Sequence, residues 1–208
     1  MYEVIGVLGD SIANGYWDEE GKGWFGRLAE MIARKYPRKY GFNNMAQDGD
    51  RIFDIFHRLH AEAMTRDFDV LLIACGGNDI IRWGSPDAPT DLSPGLREEM
   101  WQKVLDGAVK AFSRVLVIGL LPEDEGAYPQ EGAFGRMLYA KNADREEYNA
   151  MMEAMCEKHG ARFLHIEAFR RMDFASLFAD ACHPNARGHA VYAEAVFAEL
   201  QKLGWVKE

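Results

Sequence analysis

A three-layer α/β/α sandwich on a central parallel sheet of about five strands is what this 208-residue sequence predicts. Short, unbroken runs of Val, Ile and Leu recur along the chain, as strands buried on both faces of a parallel sheet require. Amphipathic stretches of helical length separate them, and that alternation implies right-handed crossovers with helices on both faces. Apolar residues make up 48% of the chain and charged residues 27%, a balance that fills a core without a metal or disulfide staple.

The first strand is 4–8, Val-Ile-Gly-Val-Leu, and the first helical pattern follows at 24–35. A weaker strand at 40–45 leads to a helix at 52–64. The apolar run 70–75 is the third strand and precedes a helix at 96–112. The run 115–121 is the fourth strand, followed by a helix at 143–159 and a weaker strand at 162–166. The final helix, 184–203, opens on Pro184, well suited to a first helical turn. Its Ala190, Val191, Ala193, Ala195, Val196 and Leu200 form an apolar stripe. Strand and helix thus alternate five times, a flavodoxin-like arrangement. No linker or repeat of fixed period divides the chain, so residues 1–208 are expected to form one domain.

Two segments read as loops: 84–95, with three prolines and two glycines, and the acidic 122–135, with two prolines and three glycines. Both follow strand ends, where open α/β sheets bind ligands, so they are natural walls for a site; mobile surface loops explain them equally well.

Charge and cysteine content exclude several classes of function. Lys plus Arg total 24 against 33 Asp plus Glu, a formal charge of −9 that repels nucleic-acid backbones and anionic membranes. Cys75, Cys156 and Cys182 are odd in number and lack C-x-x-C spacing, so they are expected to be reduced thiols of a cytoplasmic protein. The N-terminus lacks a basic region and meets Gly9-Asp10-Ser11 too soon for a signal peptide. The apolar runs are far too short to span a bilayer.

Chemistry concentrates in four short motifs. Gly9-Asp10-Ser11 follows the first strand, putting a hydroxyl at the carboxyl edge of the sheet; serine becomes a nucleophile only beside a base, and elsewhere caps helices. Asp180-Ala181-Cys182-His183 supplies such a base. A spacing of three lets Asp180 accept the Nδ1 proton of His183 and leave Nε2 facing outward, although Asp180 equally suits a cap. Gly76-Gly77-Asn78-Asp79 follows the strand 70–75, and the Asn78 amide is a suitable donor to a developing oxyanion. Gly49, after the second strand, offers a backbone N–H for the same purpose, or serves a plain turn.

Taken together and in this order, the four motifs resemble the block pattern of the SGNH hydrolases, also called GDSL esterases and lipases, over essentially the whole chain. The resemblance implies Ser11 as nucleophile, His183 as base and Asp180 as its orienting partner. It also implies an oxyanion hole of the Ser11 and Gly49 N–H groups with the Asn78 side chain. Ile12 stands where the family usually has leucine, and Asp48 where a small residue often precedes the glycine. An α/β-hydrolase is a poorer match, because its nucleophile elbow reads Gly-x-Ser-x-Gly and position 13 here is alanine.

His57 and His60 share a helix face without a zincin glutamate, and Gly6-x-x-Gly9 is not a dinucleotide fingerprint, so neither metal nor cofactor is expected. Trp17, Trp24, Trp83, Tyr128 and Phe134 fall on loops or their edges, as lining for an acyl or sugar pocket or as core packing. Cys75 and Cys182 adjoin the motifs and are expected to be spectators. The expected activity is hydrolysis of a carboxylic ester, small-chain or sugar-linked, through an acyl-enzyme. Thioesterase or acyltransferase action and a non-catalytic small-ligand-binding module are the alternatives. The expected partner is a small-molecule ester, with neither nucleic acid nor stable membrane association.

Overall fold

The computed structural model describes residues 2–132 and 135–208. Its central sheet has five parallel strands: β1 (Glu3–Gly9), β2 (Tyr40–Asn44), β3 (Val70–Ala74), β5 (Val115–Ile118) and β8 (Arg162–Leu164), in spatial order β2-β1-β3-β5-β8. The order reverses between β1 and β3, where a doubly wound sheet opens its ligand crevice. Register is set by apolar pairs: Ile5 faces Val70, Val7 faces Leu72, and Leu72 faces Leu116.

One face of the sheet is covered by α2 (Gly23–Lys35) and α7 (Ala186–Lys202), through Trp24, Leu28, Ile32, Tyr192, Val196 and Leu200. The other face carries α3 (Ile52–Ala61), α4 (Pro94–Ala111) and α5 (Asn142–His159), packed through Ile55, Leu59, Trp101, Leu105 and Met152. Each helix begins and ends where local chemistry allows. Ser93 caps α4 by accepting from the Leu96 N–H at 3.4 Å, with Pro94 in the first turn. Gly160 ends α5 in the left-handed conformation.

Most expected ends shift by a residue or two, and three of the shifts have a clear local cause or consequence. The last helix starts at Ala186 because Asn185 caps it, accepting from the Gly188 N–H at 3.0 Å; Pro184 stays outside, paired across a β-bridge with Phe178. The third helix ends at Ala61 and gives way to a 3-10 turn, Ala63–Thr65. The fourth strand stops at Ile118, so that Gly119, Leu120 and Leu121 line a cavity instead.

A second, antiparallel sheet was not expected. Here β4 (Arg82–Trp83) pairs with β7 (Met137–Tyr139), which pairs with β6 (Gln130–Glu131). Arg82 ties it to α5 through a bidentate pair with Asp144, Nε to Oδ2 at 2.8 Å and Nη2 to Oδ1 at 2.7 Å. Two further short helices, α1 (Ser11–Asn14) and α6 (Ala168–Arg171), complete the fold. No helix among the described residues is long and apolar enough to cross a membrane.

Candidate active site

The turn after β1 is tightly constrained. A Cβ on Gly9 would lie 2.4 Å from the Ala74 carbonyl oxygen and 2.5 Å from the Ala13 Cβ, so only glycine lets β1 and α1 meet there. Buried Asp10 caps α1 by accepting the Ile12 N–H at 3.1 Å, which makes Ser11 the first helical residue. Burial pushes the Asp10 carboxyl up to about 6, opposed in part by that N–H and by His183. The loop beyond α1 is locked by Asp18, which accepts the N–H groups of Glu20, Lys22 and Gly23 and pairs with Arg27.

The loop before α7 presents the imidazole. Asp180 Oδ1 accepts the backbone N–H groups of Cys182 (2.9 Å) and His183 (2.7 Å), bending the chain so that its Oδ2 meets His183 Nδ1 at 2.8 Å. With Nδ1–H donated to Asp180, Nε2 is an acceptor, and it lies 3.0 Å from Ser11 Oγ across 172 positions of sequence. Burial alone would raise the Asp180 carboxyl, but the donors from His183 and Cys182 prevail and hold it near 2. Tyr16 packs its ring against His183, with centroids 4.9 Å apart.

Gly49 and Asn78 arrive from the next two strand ends. Gly49 has φ +83°, a conformation that favours glycine, and among the described residues neither its N–H nor that of Ser11 meets a protein acceptor. Its loop is tied down on both sides. Asp48 accepts from the Asn14 side chain in α1 at 2.9 Å, and the Asp50 carbonyl accepts from Asn78 Nδ2 at 3.0 Å. The latter bond holds the Asn78 amide and leaves its second N–H free to donate. Asp48 is thus turned toward Asn14, which accounts for a carboxylate beside this glycine.

Ser11, Asn78 and His183 open onto a cavity of about 180 Å³. Its apolar lining includes Ile12, Ile81, Ile118, Leu120, Leu121 and Leu138, and its polar lining includes Glu123, Tyr128, Gln130, Arg145 and Cys182. Glu123, Tyr128 and Gln130 of the 122–135 loop therefore wall the site, whereas no residue of 84–95 lines it; that loop is held instead by Arg51–Asp91 and Arg82–Ala88. Gly49 is not among the lining residues and sits at the exposed rim.

The aromatic residues divide. Tyr128 lines the cavity. Trp24 is core, fully buried and stacked on Tyr192 with centroids 4.7 Å apart. Trp17 is exposed outside the cavity, with φ +61°. Trp83 bonds Asp91 at 3.1 Å and lies under Arg136, and Phe134 lies outside the described residues. Burial raises the Cys75 thiol well above its usual range and the Cys182 thiol to about 12, so both stay protonated. Asp180, Cys182 and His183 are close enough together to suggest a metal site. The contacts among them are hydrogen bonds, His183 Nδ1 to Asp180 at 2.8 Å and to Cys182 Sγ at 3.4 Å.

Three features beside the site were not anticipated. Asp79 is fully buried behind Asn78; its Oδ1 accepts the Ile52 N–H at 3.0 Å and its Oδ2 accepts the Tyr148 hydroxyl, which in turn accepts from Trp101 at 2.9 Å. Burial pushes the Asp79 carboxyl up to about 7. Arg145, on α5, pairs with Glu123 in the cavity wall. The buried His189 donates Nε2–H to the Tyr16 carbonyl at 3.1 Å, fixing the residue that packs on His183. Each is a polar residue inside a stretch that reads as helix or turn, so nothing local in the sequence marks it as buried.

Known proteins share both the fold and the sequence pattern. The chain is 25% identical over 220 residues to the uncharacterized protein YpmR of Bacillus subtilis, covering 99% of this chain and 84% of that one. The solved structure of LAE5, an alpha/beta hydrolase enzyme from the metagenome of Lake Arreo, superposes with a TM-score of 0.75 at 19% identity, covering 99% of this chain and 97% of that one. An acetylxylan esterase of Geobacillus stearothermophilus superposes with a TM-score of 0.74 at 17% identity and the same coverage. At such identities these structures establish the fold. The GDSL-like lipase/acylhydrolase family profile matches residues 7–191, a span that takes in Ser11, Gly49, Asn78, Asp180 and His183, so the chain belongs to that family and is a serine hydrolase of carboxylic esters.

Proposed function

We propose that the chain acts as one catalytic domain hydrolysing small-chain carboxylic esters, sugar-linked esters included, through an acyl-enzyme on Ser11. The observation that carries this reading is the unbroken line of contacts from Ser11 Oγ to His183 Nε2 (3.0 Å) and from His183 Nδ1 to Asp180 Oδ2 (2.8 Å). His183 takes the serine proton as Oγ bonds to the ester carbonyl carbon. The negative charge on the carbonyl oxygen is met by the N–H groups of Ser11 and Gly49 and by the Asn78 amide. As the tetrahedral species collapses, the ester C–O bond breaks and His183 gives its proton to the departing alcohol. Water then repeats the sequence: His183 deprotonates it, the acyl–serine bond breaks, and the proton returns to Oγ. Asp180, held ionised, keeps the imidazole in one tautomer and offsets the imidazolium charge. No step calls for a metal or cofactor; the three free thiols suit a cytoplasmic enzyme, and the acidic 122–135 segment suits neutral or cationic substrates.

Cavity size bounds the acyl group. A cavity of about 150 Å³ admits a benzene-sized molecule, so 180 Å³ takes a chain of about six carbons. A series of p-nitrophenyl esters of graded acyl length tests this: kcat/KM is expected to peak at or below about six carbons and to fall beyond. A rate still rising at twelve carbons would point to a lipase, and no turnover of any member would defeat the proposal.

A further inference from the structure

Within the proposed esterase site, one residue remains unexplained by catalysis. Arg145 is 4% exposed and lines the cavity, yet its guanidinium makes a single protein hydrogen bond among the described residues, from Nη2 to Glu123 Oε1. Its Nε is buried without any acceptor. The other oxygen of Glu123, Oε2, accepts the Tyr128 hydroxyl at 2.7 Å. The Glu123 backbone is clamped by Asn142, which donates to its carbonyl and accepts its N–H, both at 2.9 Å. With the two oxygens divided in this way, the carboxylate meets the guanidinium through one oxygen only.

Arginines elsewhere in the protein show what a purely structural pair looks like. Arg82 meets Asp144 through two parallel bonds, and Arg27 meets Asp18 through both terminal nitrogens. Burying a guanidinium is costly unless its donors are used. Arg97 also has an unused buried nitrogen, but it rests over the Tyr148 ring and does not line the cavity. Arg145 alone among these combines unspent donors with a position in the cavity wall beside the apolar slot.

From this we infer that Arg145 is a substrate-recognition residue, donating to an uncharged oxygen acceptor carried on the acyl chain of the ester, a ketone or hydroxyl oxygen a few carbons from the reacting carbonyl. Charge selects the neutral acceptor. The guanidinium is already matched by Glu123, and Asp10 lies close enough to interact with Arg145, so a substrate carboxylate would face two acids for one cation. The apolar wall of Ile118, Leu120, Leu121 and Leu138 takes the intervening methylenes. Such a site discriminates strongly against a plain chain, because the plain chain leaves the buried donors unpaired.

The inference rests on the esterase reading for its setting, but binding tests it without turnover. Ser11→Ala protein is titrated by NMR with ethyl esters of 3-oxobutanoate, 4-oxopentanoate and 5-oxohexanoate, each against its unsubstituted counterpart. At least one oxo ester is expected to bind about tenfold or more tightly than its plain partner. When Arg145→Met is combined with Glu123→Gln, which removes both charges together, the ratio of oxo-ester to plain-ester affinity should fall to about one; Arg145→Lys should keep part of the advantage. Equal affinities across all three pairs, an advantage that survives the double change, or tighter binding of a monoethyl dicarboxylate would overturn it. Turnover by the unaltered chain is read separately: an oxo-ester advantage without hydrolysis would reject the esterase reading and leave the Arg145 assignment standing.

Discussion

Ser11 is set on a turn whose neighbours pull in opposite directions. Asp10 caps α1 from a buried position, and burial raises its carboxyl to about 6, above the ordinary value near 3.8. A carboxyl raised on folding adds stability below the unfolded value and loses it as pH climbs through the folded one. Unfolding free energy should therefore fall between pH 4 and 6 by an amount on the order of 3 kcal/mol from this group. Asp10→Asn, which keeps the acceptor for Ile12, should flatten that stretch of a pH series of urea melts; an unchanged slope would remove Asp10 from the explanation. Asp180 behaves oppositely. Depressed to about 2, it contributes fully above the unfolded value and loses its contribution as pH drops toward 2. For catalysis, Asn78→Ala should lower kcat by roughly 10²–10³ with little change in KM, because the amide binds charge that exists only in the transition state. Asp180→Asn should cost about 10⁴ in kcat through the wrong imidazole tautomer.

Among the elements, the five central strands and the principal helices were legible because each has a run of apolar residues at the right period. Three of the four motifs could be placed because each follows a strand, and the fourth because it precedes the last helix. The second sheet was not legible: its strands are two or three residues long, too short for alternation to register, and they are held by tertiary contacts such as Arg82–Asp144. That sheet carries Gln130 and Leu138 into the cavity wall. Arg82→Ala should therefore loosen the wall, costing about 1.5–3 kcal/mol of stability. Hydrogen exchange at 137–139 should quicken while α7 amides stay protected. Uniform protection in both would mean the small sheet is held by other contacts. Arg145 and Glu123 were equally hidden, since a charged residue in a helix or loop reads as solvent-facing until packing shows otherwise.

For the whole molecule, Ser11 near one end of the chain must meet Asp180 and His183 near the other, and the α2–α7 layer brings them together. Trp24 on Tyr192 is central to that layer, fully buried and stacked. Trp24→Ala should cost about 3–5 kcal/mol in a denaturant melt. A loss below about 1 kcal/mol would show that the layer does not hold the two ends. The sequence pattern foresaw this meeting, because the doubly wound order places the ends of β1 and the segment before the last helix at one edge of the sheet. It also marked 122–135 as a wall of the site, but not the Arg145–Glu123 pair in the cavity lining, because Arg145 arrives from a helix whose charged residues read as solvent-facing.

The most direct measurement is mass spectrometry of the protein after treatment with a fluorophosphonate. One adduct per chain, on Ser11, absent from His183→Ala protein treated alike, is the predicted result. An unmodified Ser11, or an adduct that forms equally well without His183, would contradict the claim that this imidazole activates this hydroxyl.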